Sequence, residues 1–411
     1  LIASKEAATK LTTAGKADRE TLERRAAPWR AWIMTNAAFA SRDRHDAERG
    51  WRLFQMAFIL AHIPVFASRI SDWRDYHDPV LDEDSASLLY FPTGGGKSEA
   101  FYGALLFAMF LDRLRGKDRG VTALIRYPLR LLTLQQAQRL LKLLVHAEMV
   151  RRSNHAGTWP FEIGFWVGSQ NTPNSYAAFR SEIPLFGDPD HQDDTNLDGE
   201  SGNDDARARG KRYIEALESY NKVPECPVCG SPTGLRRDER DGPRGKRAAI
   251  ICFNPACEWN TTHGGQHPLP FLLTDDSIYA RAPSVVLGTI DKLAMLGQYT
   301  GTISKVLGMF GLARWMDQNG NFDTPRREED LRGGPAQDAC LPVFPAYRGG
   351  QRVFHDPFPS LIIQDEAHLL EESLGTFSGI FDTLLDHIFD EVSEMAGDDL
   401  NVARQWTGDS W

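Results

Sequence analysis

The chain has 411 residues, with 46 Lys or Arg against 56 Asp or Glu, a formal charge of −10, and 42% apolar and 25% charged residues. That length allows two or three domains of about 150 residues or one elaborated domain, and the ordinary apolar fraction excludes wholesale disorder and a coiled coil. No apolar run reaches the roughly 20 residues of a membrane span, no secretory segment opens the chain at Leu1, and the acidic balance excludes a uniformly basic nucleic-acid coat while leaving room for a local basic groove.

Residues 1–50 read as a helical segment without chemistry, with Trp29, Trp32, Ile33 and Phe39 as candidate buried positions. A compact apolar helix from Trp51 to Ile63 follows, closed by Pro64, and then a polar connection from Ser71 to Asp84. Ser87–Phe91 reads as a short strand, Pro92–Ser98 as a glycine-rich turn and Glu99–Leu114 as a helix. Val121–Tyr127 is a second strand and Leu131–Val150 a second long helix; Phe161–Val167, Ser284–Thr289 and Ser360–Gln364 are further strands. Short apolar runs alternating with helices specify an α/β fold, a mainly parallel sheet with helices on both faces. The expected organisation is a helical segment 1–50, the first half of an ATPase domain 51–170, an insertion 171–283 and the second half 284–411. Within the insertion, Asp188–Arg209 is crowded with Asp, Gly, Asn and Ser and reads as a solvated mobile loop. Asp317–Asp356 reads as a surface excursion rich in Gly, Pro and Arg.

The strongest motif is Pro92-Thr93-Gly94-Gly95-Gly96-Lys97-Ser98 between a strand and a helix. Glycines let successive N–H groups turn toward one anion, and the helix that follows adds the positive end of its dipole. Lys97 is expected to reach the β- and γ-phosphates of ATP, and Ser98 to ligate Mg²⁺. A second element, Leu361-Ile-Ile-Gln-Asp365-Glu366-Ala-His368, ends an apolar strand in two carboxylates. Asp365 is expected to hold Mg²⁺ through water and Glu366 to polarise the water attacking the γ-phosphate. Together the two elements point to a nucleoside triphosphatase.

Of the five cysteines, Cys226-Pro-Val-Cys229 and Cys252-Phe-Asn-Pro-Ala-Cys257 form two close pairs. Each pair presents two thiolates to one ion, and four thiolates complete a structural Zn²⁺ shell with no open position. Two disulfides are the alternative, although nothing else suggests an oxidising compartment. His263 and His267 follow as substitute ligands, and Arg236, Arg237, Arg244, Lys246 and Arg247 crowd the tip as nucleic-acid contacts or a solvated loop. Cys340 reads as a lone, inert thiol.

Pro92–Ser98 with Asp365–His368 resembles the superfamily 2 helicases of the DEAH-box type, in their first RecA-like domain. Phe91 departs from that pattern, which carries Gly or Ala there. The resemblance implies a RecA-like sheet and assigns adenine recognition to Arg52 and Gln55 in Trp51-Arg-Leu-Phe-Gln55. It also assigns nucleic-acid backbone contacts to Arg130 after Arg126-Tyr-Pro-Leu, to Gln170 in Gly168-Ser-Gln-Asn-Thr, and to Thr289 and Lys292 in Gly288-Thr-Ile-Asp-Lys-Leu293. His368 is assigned the coupling of the nucleotide site to strand separation.

With the cysteine-bearing insertion, these motifs most closely resemble the DrmA family of the DISARM anti-phage systems. That resemblance implies a cytoplasmic DNA-dependent ATPase acting with a DrmB-like protein that carries a DUF1998 domain. Neither the Ser-Ala-Thr motif expected after His368 nor the arginine fingers of a second RecA-like domain is found. The chain is therefore read as an N-terminal portion that hydrolyses ATP slowly alone. A repair helicase of a related DUF1998-associated family, and a nucleic-acid-binding module with a structural nucleotide, stand as alternatives. The nuclease-associated ATPase of a restriction system would need a nuclease metal cluster, which the sequence lacks.

Overall fold

The computed structural model describes residues 1–46, 48–82, 86–90, 95–127, 130–168, 173–179, 183–187, 204–289, 292, 300–323, 340–369 and 373–397. Helices α1 (Ile2–Leu11) and α2 (Lys16–Arg42) open the chain, followed by α3 (Leu53–Ala67) and the short α4 (Pro79–Asp82). Then come α5 (Lys97–Leu114), β1 (Ala123–Tyr127), α6 (Arg130–Ser153) and β2 (Ile163–Trp166). The middle of the chain holds α7 (Asp204–Tyr220), β3 (Thr233–Asp238), β4 (Arg247–Cys252), α8 (Glu258–Thr262), β5 (Phe271–Leu272) and α9 (Asp275–Arg281). It closes with β6 (Val285–Thr289), α10 (Thr300–Leu307), β7 (Trp315–Met316), β8 (Leu341–Pro342), β9 (Leu361–Gln364) and α11 (Ser373–Ala396). No helix among the described residues is long and apolar enough to cross a membrane.

Five strands form one parallel sheet in the order β5-β2-β6-β1-β9. Strand side chains alternate between its faces because the strand period is two. Ala123, Ile125, Tyr127, Ile163, Phe165, Val285 and Leu287 pack into one apolar cluster with residues of α2, α5 and α6. Leu124, Trp166, Val286 and Leu272 pack into a second with residues of α9, α10 and α11. Both faces are therefore covered, as an all-parallel sheet requires. Helix α5 is buried almost throughout, and Gly103 lets α3 approach it, since a Cβ there would fall 2.3 Å from Ile59 Cδ1.

Several expectations are corrected. Ser87–Tyr90 is not a strand: Leu88 and Tyr90 are 85% and 87% exposed, because an extended run becomes a strand only where a neighbour takes its hydrogen bonds. Pro64 does not stop α3, which runs on to Ala67, with Ser68 N donating to Pro64 O at 2.9 Å. Proline removes one bond to the preceding turn, and packing of Ile63, Phe66 and Ala67 in the core holds the helix across the gap. Ile33 faces solvent, whereas Phe39 is buried as expected; the inward face of α2 adds Met34 and the small Ala26, Ala27, Ala31 and Ala38, which let helices approach closely.

The span 171–283 also contributes to the sheet, as β5 pairs parallel with β2 at its edge. Residues 204–209 are helical within α7, whereas 188–203 lie outside the described residues. The stretch from Asp317 to Asp356 is not a surface excursion throughout, since Phe322, Val343, Phe344 and Phe354 enter the second core.

Candidate functional site

Helix α5 begins directly at Lys97, and Gly96 precedes it at φ +87°, a left-handed conformation that a side chain disfavours. A Cβ on Gly96 would also fall 2.8 Å from Gln55 Nε2, so the end of that side chain would have to give up its present place. The end of the glycine turn is held by α3. Arg52 Nη1 donates to Gly95 O at 2.8 Å and Gln55 Nε2 to Gly96 O at 2.9 Å. Arg52 N in turn donates to Gln55 Oε1 at 2.9 Å, which orients the amide. The two side chains expected to recognise adenine thus grip the glycine backbone. Gly95, Gly96, Lys97 and Ser98 are described, whereas Thr93 and Gly94 lie outside the described residues.

Strand β9 delivers the carboxylate pair to the same end of the sheet. Asp365 N donates to Arg126 O at 3.1 Å, extending the pairing of β9 with β1 by one residue. Burial pushes the Asp365 carboxyl above its ordinary range; the Glu366 charge adds to this, while the Glu366 N–H and the Lys97 ammonium oppose it. Lys97 therefore lies close enough to Asp365 to act on it. Glu366 adopts φ +50°, a conformation uncommon outside glycine, and its N–H donates to Asp365 Oδ1 at 2.9 Å. Strain of this kind gathers where a side chain must be aimed. His368 Nδ1 stands 3.4 Å from Glu366 Oε2 and is 70% exposed. A lysine, a serine hydroxyl and two carboxylates at a strand end form a donor set suited to Mg²⁺ and phosphate.

The other assigned residues spread along the sheet. Thr289 ends β6 fully buried, its hydroxyl without a partner among the described residues. Lys292 Nζ donates to Asp275 Oδ2 at 2.7 Å and Asn174 Oδ1 at 3.1 Å, so its charge is paired within the chain. Arg130 opens α6 but its side chain is not described, and Gln170 lies outside the described residues.

The cysteines come together on one hairpin. Cys226 Sγ lies 3.7 Å from Cys257 Sγ and Cys229 Sγ 3.6 Å from Cys252 Sγ, with all four atoms within 4.8 Å of one another. A tetrahedral ion with Zn–S bonds of about 2.3 Å needs sulfur separations of about 3.8 Å, so the cluster fits zinc. These separations far exceed the roughly 2.05 Å of a disulfide, which removes that alternative. Burial pushes the Cys226 thiol up to about 11, whereas at Cys229 burial is outweighed by hydrogen bonds with Ser231 and the thiol falls to about 6. His263 and His267 are not in the cluster; their rings stack on each other at 4.1 Å.

Arg236, Arg244 and Arg247 of this hairpin are buried, while Arg237 and Lys246 stay partly exposed. Arg247 Nη1 donates to Glu162 Oε1 at 3.1 Å, and Arg281 Nε meets the same carboxylate at 2.9 Å. Arg236 and Arg244 are buried, and Lys246 pairs with Glu239 at 3.2 Å. Arg247 clamps the hairpin to Glu162, beside β2, and Arg236 bonds Tyr213 of α7; the burial of Arg236, Arg244 and Arg247 removes the solvated-loop reading for these three. Sequence reasoning also missed Glu99, Arg42 and Arg139. Glu99 directly follows the motif serine, a position where a carboxylate beside phosphate is a signal in itself.

No family model matches the chain. It is 32% identical over 355 residues, 82% of its length, to the DISARM protein DrmA of Bacillus paralicheniformis, of which it spans 27%.

Proposed function

We propose that the chain is the nucleotide-binding part of a DNA-dependent ATPase, a helicase or translocase of superfamily 2 acting in DISARM-type defence against phage DNA. The observation that carries this reading is the meeting of distant segments at one end of the sheet. Arg52 and Gln55 hold the glycine turn before Lys97, while β9 brings up Asp365 within electrostatic reach of Lys97. The similarity to DrmA supports the biological setting.

In this reading Lys97 binds the β- and γ-phosphates. Ser98 and Asp365 are the side chains placed to hold Mg²⁺, which when bound neutralises charge between those phosphates. Glu366 accepts a proton from the attacking water, and His368, beside it, reports the state of the site to the rest of the protein. Arg130, Gln170 and Lys292 take the nucleic-acid backbone, Lys292 by exchanging Asp275 for a phosphate, and Thr289 joins them once a movement at the end of β6 uncovers it. Phosphate contacts of this kind hold any base sequence, as a motor on foreign DNA requires. The four cysteines hold a structural Zn²⁺. A DUF1998-bearing DrmB-like partner, a cytoplasmic location and a second RecA-like domain belong to the same proposal.

The test is ATP hydrolysis by the full-length protein with single-stranded DNA, duplex DNA or RNA, beside Lys97→Ala and Glu366→Gln. DNA-stimulated turnover that falls by roughly a hundredfold or more in either variant is expected, as for loss of a phosphate-stabilising or proton-accepting group. Stimulation by RNA alone overturns the DNA assignment. Turnover unchanged in Glu366→Gln overturns the role given to Glu366, and a wild type that binds ATP without hydrolysing it leaves a module in which nucleotide is structural.

A further inference from the structure

The first turn of α5 carries Glu99 directly after Ser98. A carboxylate there repels a triphosphate bound at the helix start, so its presence calls for a reason. Three arginines from three separate segments surround it. Arg42 Nη1, at the end of α2, donates to Glu99 Oε2 at 2.9 Å. Arg49 Nη2, in the link to α3, lies 3.6 Å from Oε1, and Arg139 Nη2 of α6 lies 3.7 Å from it. The Arg42–Glu99 pair is sheltered, with side chains 8% and 16% exposed, and Arg42 is itself fixed by two bonds to Asp43 at 2.8 and 2.6 Å. Charge-assisted bonds in a sheltered site are the strong ones. Two facts set this apart from a solvated surface pair. Three cations meet two carboxylates, Glu99 and the Asp43 that Arg42 and Arg49 share, leaving one net positive charge beside the phosphate site, and none of the three arginines lies on α5 itself.

We propose that Glu99 is a positioning residue for the phosphate loop. Through Arg42, Arg49 and Arg139, the N-terminal helices and α6 hold the first turn of α5, so that Lys97 and Ser98 keep their aim on the nucleotide. The inference rests on the nucleotide reading of this site. It gives the N-terminal helical segment a part in the chemistry. Arg42 also lines a cavity of 380 Å³ together with Cys226 and Gly230 of the first cysteine knuckle, so the brace adjoins the cysteine cluster as well as the phosphate loop.

The experiment uses the full-length protein, with ATP affinity, kcat, KM and melting temperature measured for the wild type, Lys97→Ala, Glu99→Gln, Arg42→Gln and the double variant Arg42→Gln/Glu99→Gln. Positioning predicts that Glu99→Gln lowers kcat by roughly tenfold at an unchanged melting temperature, since small misplacements of a catalytic group are costly. It also predicts that the double variant loses no more than Glu99→Gln alone, because Arg42 acts on the first turn of α5 through that carboxylate. If Glu99→Gln instead tightens ATP and keeps full turnover, the carboxylate is merely a repulsive charge and the inference is overturned. Should Glu99→Gln unfold, Arg49→Gln at a half-exposed position carries the test: a twofold to threefold fall in kcat supports the brace, and none overturns it. Failure of the nucleotide reading looks different, with ATP binding absent from the wild type or untouched in Lys97→Ala.

Discussion

The cysteine hairpin and the end of the sheet that meets the glycine turn are built in opposite ways. All four thiols lie between Cys226 and Cys257 and meet at ion spacing with no help from distant chain. The other end draws Arg52, Lys97 and Asp365 from three separate segments, and Lys97, Ser98, Asp365 and Glu366 are all partly buried, whereas three of the cysteines are buried and Cys229 is exposed. The difference teaches that a centre made by one hairpin is complete once the hairpin closes. A centre made at the end of a sheet is only as good as the packing that aligns its strands and helices. The two are nonetheless not separate bodies, since Leu235, Ile250, Cys252 and Trp259 of the hairpin share one apolar cluster with α5 and α6.

The largest effect that separates the two regions should come from the metal. Folding of small structural zinc modules draws on roughly 10–16 kcal/mol of apparent binding energy. Cys226→Ser, or chelation of the native protein, should release one zinc per chain and expose the amides of β3 and β4 to hydrogen exchange. Nucleotide affinity should fall far less. Equal loss at both places would show that the hairpin, not the sheet, holds the phosphate loop.

A smaller effect is expected from the clamp between them. Glu162 is 2% exposed and takes Arg247 of the hairpin and Arg281 of α9 together. Glu162→Gln strands two guanidiniums in the interior, and breaking a buried pair in this way costs about 3–5 kcal/mol. Urea denaturation should show that loss in the midpoint with zinc still bound. A change under 1 kcal/mol would mean that Asp238 and Asp241 suffice to hold both arginines.

How much of this the sequence could show follows from the same contrast. The cysteine spacing is a local property of the chain, and the hairpin bears it out. The strands β1, β2, β6 and β9 were legible because each is an apolar run that a sheet buries on both faces. β5 was not, since two residues leave no period to read. Ser87–Phe91 has the composition of a strand, yet pairing is settled by neighbours that composition does not contain. The inward turn of Arg236, Arg244 and Arg247 was equally hidden: a basic cluster on a solvated tip and one that faces Glu162, Asp238 and Tyr213 have the same sequence. Gln55 shows the intermediate case. Its place in a motif was readable, but its grip on the Gly96 carbonyl needed the packing of α3 on α5.

The smallest expected effect acts at the seam between α2 and α6, which carries Arg42. His146 of α6 is buried, with its Nδ1 2.9 Å from Ser41 Oγ of α2, beside the arginine that braces Glu99. Burial lowers it from 6.5 to about 4; Glu258 opposes this and the cations Arg44, Arg42 and Lys142 add to it. A lowered folded value means that the folded chain binds fewer protons than the unfolded one. The contribution is therefore fully present above pH 6.5 and is lost as the pH falls through about 4. It amounts to roughly 3 kcal/mol at about 1.4 kcal/mol per tenfold change in proton affinity. His146→Asn keeps a polar atom toward Ser41 and cannot take up that proton. The variant should thus lose less stability than the wild type between pH 6.5 and 4, and the difference between the two curves removes the acid release of zinc common to both. Parallel curves would mean that the seam between α2 and α6 opens to water before His146 charges, and that the brace on the phosphate loop is looser than its geometry indicates.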